Sequence, residues 1–277
     1  MSPTRAATAD SNLDGNLDIA LNGSKIDVRL ADGRGGFKDS ENFFPGFASL
    51  PTGLAAADLN GGKKPDLVVS HGSGSVWPHG VTISFGRGNR KFTLHGLIRT
   101  NSLQPRFVLV ADFDGDKKDD ILLAFFNERR LGFLPGLGSG YFGAVRLSTV
   151  RLGSVWNRKW VGDMNGDGRL DASFGDSILL GNGKGDFTAA AGGNYVSAYI
   201  ADIDGDGKQD VLCMWTTITS GTWLHADGVG RQRGGTVFHD DAELAGDRPS
   251  LLLAGLGRRL RRVPGPHRFD ALLSTTQ

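Results

Sequence analysis

Cysteine is nearly absent from this chain: of 277 residues only Cys213 carries a thiol, which excludes an intrachain disulfide framework. Cys213 follows a strand-like apolar run, where a buried thiol is a more ordinary outcome than a nucleophile. Long apolar runs are missing too. None approaches the roughly 18 residues of a membrane span, and the opening MSPTRAATAD has no apolar core of signal-peptide length. A charge of one sign is also lacking, since the formal net charge is +1. That balance hides an asymmetry, because Arg258, Arg259, Arg261, Arg262 and Arg268 stand near the end against one acid, Asp270. Residues 1–254 then hold 26 basic and 29 acidic side chains, with no basic face for nucleic acid. Catalytic signatures are absent as well. No G-x-S-x-G elbow, H-E-x-x-H motif or P-loop lysine occurs, and the six histidines are scattered. The expectation is a protein that is not an enzyme and has neither a nucleic-acid partner nor a membrane span.

Glycine is abundant, with 42 residues, about twice the usual share of roughly 7%. Proline stays ordinary at 10 residues, so the excess points to many tight turns rather than to low complexity. A nine-residue pattern, D-x-[DN]-x-D-x-x-x-D, recurs as Asp10-Asn12-Asp14-Asp18, Asp112-Asp114-Asp116-Asp120, Asp163-Asn165-Asp167-Asp171 and Asp202-Asp204-Asp206-Asp210. A weaker copy, Asp58-Asn60-Gly62-Asp66, keeps three of the four polar positions. First positions are spaced by 48, 54, 51 and 39 residues, which suits one four-stranded blade per repeat.

Each acidic loop is entered by an apolar run (LAAAD, FVLVAD, KWVGD, AYIAD) and left by another (DLVVS, DILLAFF, DVLCMW). Runs this short read as buried strands. A glycine-punctuated turn follows in VRLADGRGGF, TISFGRGNRKF, GFLPGLGSGYF and ILLGNGKGDF, where glycine supplies the left-handed positions that hairpins need. The fold expected is an all-β propeller of four-stranded antiparallel blades over residues 1–254, with repeats starting near 6, 54, 107, 158 and 197. A degenerate sixth begins near 250, where Gly255, Gly257 and Arg259 replace three ligands; residues 255–277 form an irregular basic tail.

Oxygen side chains at alternate positions of a tight loop converge on one point, as a hard cation with six to eight oxygen ligands requires. Zinc lacks its histidine and cysteine ligands here, and magnesium demands a stricter octahedron. An EF-hand needs a glutamate at position twelve, where this chain has Leu21, Leu123, Phe174 and Cys213. A single such loop would equally be an Asp/Gly turn held by side-chain-to-backbone hydrogen bonds; four copies in register favour about four Ca2+ sites. Asp58, Asn60 and Asp66 make a weak site, since Gly62 removes a ligand and Lys63 and Lys64 add positive charge.

DMNGDGRLD and DIDGDGKQD resemble the FG-GAP/VCBS repeats of integrin-α-like β-propellers, whose signature is D-x-[DN]-G-D-G-x-x-D; DFDGDKKDD departs at Lys117 and DSNLDGNLD at Leu13. The resemblance covers about residues 7–240. It implies that the loop lies between the innermost strand and the next, that the side chains at positions one, three, five and nine (Asp18, Asp120, Asp171 and Asp210 at the ninth) are ligands, and that backbone carbonyls at the seventh position, Asn16, Lys118, Arg169 and Lys208, complete the set. It also implies that the remaining connections lie on the opposite face, and those carry Phe44, Trp77, Trp156 and Trp215. Exposed aromatic rings there make anchors for a protein or a glycan ligand.

The function expected is a calcium-stabilised extracellular module for protein–protein or cell-surface recognition. A lectin-like propeller, or the accessory domain of a larger secreted enzyme, is the alternative. Open loops of this kind bind calcium at about 10⁻⁴–10⁻³ M and would be empty in the cytosol, hence the extracellular or secreted expectation. Asn22-Gly23-Ser24 is a single glycosylation sequon. The first loop begins close to the N-terminus and the repeat breaks at Gly255, which suggests a truncated or frameshifted reading frame.

Overall fold

A computed structural model describes residues 5–43, 46, 50–73, 79–101, 103–153, 159–175, 177–192, 195–201, 210–215, 220–226, 232–238 and 252–253, with the backbone alone from residue 190 onward. Every regular element among them is a β-strand. Blade one consists of β1 (Arg5–Ala9), β2 (Asp18–Asn22), β3 (Ile26–Ala31) and β4 (Phe37–Phe43), paired in that order. Blade two repeats the plan with β5 (Leu50–Ala57), β6 (Asp66–Ser73), β7 (Gly80–Gly86) and β8 (Phe92–Arg99). Blade three is built from β9 (Pro105–Ala111), β10 (Asp120–Phe125), β11 (Arg130–Leu134) and β14 (Arg146–Arg151). A two-stranded flap, β12 (Gly136–Gly138) and β13 (Tyr141–Phe142), interrupts it. Blade four comprises β15 (Lys159–Gly162), β16 (Asp171–Phe174), β17 (Ser177–Gly181) and β18 (Phe187–Gly192). Neighbouring strands are antiparallel throughout, and the first strands of blades one to four lie side by side. The four sheets are therefore arranged as a propeller.

A further sheet holds β19 (Tyr195–Ala201), β20 (Asp210–Trp215), β21 (Ser220–Ala226), β22 (Gln232–Phe238) and β23 (Leu252–Leu253). The run expected to open a sixth unit supplies β23, which pairs with β22 through Val237↔Leu253 and Phe238↔Leu252. Among the described residues it extends the fifth sheet instead of starting a new one.

The core sits between consecutive blades, and that explains the continuous apolar middle strands. Along β10, Ile121, Leu123 and Phe125 pack against Val68, Val81 and Ile83 of blade two. Leu122 and Ala124, pointing the other way, pack with Ala172, Phe174 and Leu179 of blade four. A strand with a blade on each face has no solvent side, so the alternation of polar and apolar residues is lost. At the hub, Lys159 of β15 donates its ammonium to the carbonyl oxygens of Leu54 and Val108, tying blade four to blades two and three. Burial, with Arg5 adding to it, pushes this ammonium down to about 8.

Candidate metal centre

Each acidic loop joins the first strand of its blade to the second and is drawn tight by its own side chains. In the third loop, Asp112 Oδ1 accepts from the Gly115 and Asp116 amides (2.7 and 3.1 Å) and Oδ2 from the Lys117 amide (2.9 Å). Asp114 Oδ1 accepts from the Asp116 amide at 3.2 Å, and Asp116 Oδ1 from the Lys118 amide at 2.9 Å. The fourth loop repeats this with Asp163, Asn165 and Asp167, and the first with Asp10, Asn12 and Asp14. Two left-handed residues, at positions four and six, make the path possible: Gly166 and Gly168 at φ 73° and 80°, but Leu13 at 63° and Lys117 at 67° where glycine is absent. The departures from the glycine signature thus leave the backbone path unchanged.

In the third loop one ligand oxygen each from Asp112, Asp114 and Asp116 lies within 4.8 Å of the others. Oxygens bound at about 2.4 Å to a single ion are at most about 4.8 Å apart, so this oxygen-only set fits a hard divalent cation. A tethered cation already sits there: Lys118 Nζ is 2.7 Å from Asp116 Oδ2. Lys118 holds the Asp116 carboxyl below its usual range, and Asp116 raises the Lys118 ammonium. Arg169 Nη1 stands 3.8 Å from Asp167 Oδ2 in the fourth loop. In the first loop the neutral Asn16 donates to Asp14 Oδ1 at 2.9 Å, and the hydrogen bond from the Asn12 side chain lowers the Asp14 carboxyl.

The ninth-position aspartates, expected among the ligands, take a different place, and Asp120 is not in the group formed by Asp112, Asp114 and Asp116. Asp18, Asp66, Asp120 and Asp171 are at most 1% exposed. One oxygen of each accepts the amide of loop position two, Ser11, Leu59, Phe113 or Met164, at 2.8–3.0 Å. The other accepts an amide at the end of the third strand, Ala31, Gly86 or Gly181, or in blade three just past it at Gly136, at 2.7–2.9 Å. This carboxylate buckles the loop to the blade. Burial raises Asp66 and Asp171 and pushes Asp120 up to about 6. A Cβ at Gly136 would lie 2.3 Å from the Asp119 carbonyl oxygen, so the donor end of the third strand tolerates no side chain there.

The weak loop keeps the frame with fewer oxygens: Asp58 Oδ2 accepts from the Lys63 amide and Asn60 Oδ1 from the Gly62 amide, both at 2.7 Å. In the fifth loop Asp202, Asp204, Asp206 and Lys208 lie outside the described residues, and Asp210 opens β20. Of the anticipated partner-binding residues, Phe44, Trp77 and Trp156 also lie outside them, and Trp215 ends β20.

A contact between blades escaped the sequence reading. The third-to-fourth-strand connections of blades two, three and four each donate an amide to position two of the preceding blade's acidic loop: Arg90 to Ser11 O at 2.9 Å, Gly140 to Leu59 O at 2.8 Å, Gly185 to Phe113 O at 3.3 Å. Glycine-rich turns signalled the hairpins, but nothing in their spacing signalled this docking.

Residues 163–213, which span the fourth acidic loop, match the FG-GAP-like repeat family. No curated protein matches the chain. Among solved structures, the Bacillus licheniformis rhamnogalacturonan lyase PL11 is similar at 14% identity and a TM-score of 0.58, over 83% of this chain and 50% of the lyase. The chain thus spans half the length of that enzyme. An Agrocybe aegerita lectin, described as specifically recognising non-reducing terminal N-acetylglucosamine, is similar at 17% identity and a TM-score of 0.40, over 84% of this chain and 80% of the lectin. The V. cholerae biofilm matrix protein Bap1 is similar at 16% identity and a TM-score of 0.44, over 81% of this chain and 37% of Bap1. Likeness at these identities speaks to fold alone.

Proposed function

From a β-propeller that carries an FG-GAP-like repeat, we propose a non-catalytic, calcium-stabilised binding module working outside the cell. In this reading the sheet β19–β23 is a fifth repeat, and the degenerate sixth contributes only its outer strand. The observation that carries the proposal is the convergence of Asp112, Asp114 and Asp116 oxygens within 4.8 Å on a loop whose two relatives share its hydrogen bonds. Ca2+ would be held by the side chains at positions one, three and five, with the seventh-position carbonyl beside them. It would supply the positive charge that now comes from Lys118 and Arg169. Millimolar extracellular calcium matches the affinity of such modules. The ligand is a protein or a glycan met by the connections on the face opposite the acidic loops.

The test is calorimetric titration of the chelated chain with Ca2+ and with Mg2+, followed by capture of partners from extracellular extracts in calcium and in EGTA. Several exothermic calcium equivalents, weaker magnesium binding and calcium-dependent capture are expected. A flat titration would remove calcium from the reading. Hydrolysis or elimination of a polysaccharide by the purified chain would remove the non-catalytic part.

A further inference from the structure

Between blades two and three, on the face of the acidic loops, lies an open cleft of about 300 Å³. That volume is at the low end of small-ligand sites. One wall is the loop at Asp58 and Asn60; the other is Lys117–Asp119 together with the β12–β13 flap. We propose that this cleft binds a neutral, hydroxyl-rich ring, a pyranoside, with the ring face on Tyr141 and its hydroxyls donating to Asp119 and Asp58. The proposal rests on the binding-module reading above but not on its calcium.

The first support is the platform. Tyr141 is 61% exposed, yet its ring is held edge-on by His95 at 5.0 Å, and His95 stacks on Phe85 at 4.0 Å. An exposed aromatic ring fixed in advance loses little conformational freedom on binding and offers a flat apolar face. The flap that carries it is locked to blade two. Gly140 donates to Leu59 O at 2.8 Å, and a Cβ on Gly140 would meet the Phe85 ring at 2.4 Å. Ser139 beside it adopts φ 56°, a left-handed serine at the mouth of the cleft.

The second support is the polar lining. Asp119 is half-buried, and among the described residues no hydrogen-bond donor reaches its carboxylate. The carboxylate lines the open cleft, and vicinal hydroxyl groups are donors of matching spacing for it. The carboxylates Asp58 and Asp119 share the lining with Lys117 and with Lys118, which is paired to Asp116 at 2.7 Å, so the walls carry both signs of charge and offer acceptors to hydroxyl donors. Asn60 adds a side-chain amide with both a donor and an acceptor.

Saturation-transfer NMR on the full chain, in calcium and in EGTA, tests this, using methyl β-D-glucopyranoside, methyl β-D-galactopyranoside and methyl α-D-mannopyranoside as neutral probes. Methyl β-D-glucuronide and ethylammonium serve as charged ones. At least one neutral probe is expected to bind with a dissociation constant on the order of 1 mM. Tyr141→Ala and Asp119→Ala should each weaken it by about tenfold, and Tyr141→Phe by less than about threefold. Thermal melts of each variant confirm the fold. Failure of every neutral probe, preference for a charged one, or binding that survives Tyr141→Ala overturns the proposal. Partner capture that persists in the Tyr141→Ala chain would leave the binding-module reading standing after the saccharide site had failed.

Discussion

The acidic loop at Asp58 lacks the fifth-position carboxylate that Asp116 supplies in the loop at Asp112, yet the two follow one path. Both keep left-handed residues at positions four and six: Gly61 and Lys63 at φ 74° and 56°, Gly115 and Lys117 at 81° and 67°. Both are buckled by a buried ninth-position aspartate that accepts from two equivalent amides, Leu59 and Gly86 for Asp66, Phe113 and Gly136 for Asp120. Loop shape is therefore maintained by backbone hydrogen bonds to positions one, three and nine, and the fifth position can be lost without losing the turn. Charge accumulation is a separate property, present at Asp112-Asp114-Asp116 and diluted at Asp58. The difference separates what folds the loop from what would bind a cation.

Removing calcium should break the comparison most strongly. With about 1 mM Ca2+ and a dissociation constant near 0.1 mM, each complete loop gains about 1.4 kcal/mol, or about 6 kcal/mol over four independent sites. EGTA should lower the melting temperature by an amount that calcium restores better than equimolar magnesium. Superimposable melts in EGTA and calcium would reduce all the loops to hydrogen-bonded turns.

Next comes the buckle. Asp66→Ala and Asp120→Ala each strand two amides and should cost about 3 kcal/mol by denaturant unfolding. For Asp66 the whole loss should persist in EGTA, because the weak loop has little calcium to lose. A change below about 0.5 kcal/mol at Asp66 would show that the buried carboxylate does not hold the loop.

Exchanging the fifth position sharpens the contrast. Asp116→Ala should remove about 1.4 kcal/mol of the calcium-dependent part alone. Gly62→Asp should add up to about the same in loop two, with the Asn60 side chain, 2.5 Å from the new Cβ, moving aside. Equal calcium responses from both variants would erase the distinction between the loops.

The smallest expected effect is on pH. Asp120 stands at about 6 in the folded chain, against about 3.9 when unfolded. The native state therefore holds the extra proton: the stabilisation from this group is full below about pH 4 and is lost as pH rises through about 6. In EGTA, stability should rise as pH is lowered from 7 towards 5, and Asp120→Asn should flatten that rise. In calcium the slope should reverse, since metal binding keeps the carboxylates ionised. A rise of equal size with and without calcium would contradict the assignment.

Much of the architecture was legible because it depends on local pattern: the apolar runs on both sides of DFDGDKKDD are β9 and β10, and ILLGNGKGDF is β17, its turn and the start of β18. The role of Asp120 was not, because its partner Gly136 is 16 residues away and meets it only through the register of β10 with β11. Lys159 reads in sequence as a polar residue at a strand start, and only the meeting of three inner strands turns it into a hub donor. GLGSGYF read as one more glycine turn, whereas its two aromatic residues form a separate flap over the neighbouring blade.

The amides that Arg90, Gly140 and Gly185 hand back to the preceding loop link the blades as nearest neighbours on a one-dimensional lattice. Each such bond joins two blades in addition to the apolar packing between their sheets. Where units contact mainly their neighbours, stability is approximately a sum of the units' own terms and the terms of the interfaces between them. Phe113 is thus shared between units: its amide is held by Asp120 of its own blade and its carbonyl accepts from Gly185 of the next, so the loop at Asp112 and the following blade are ordered together.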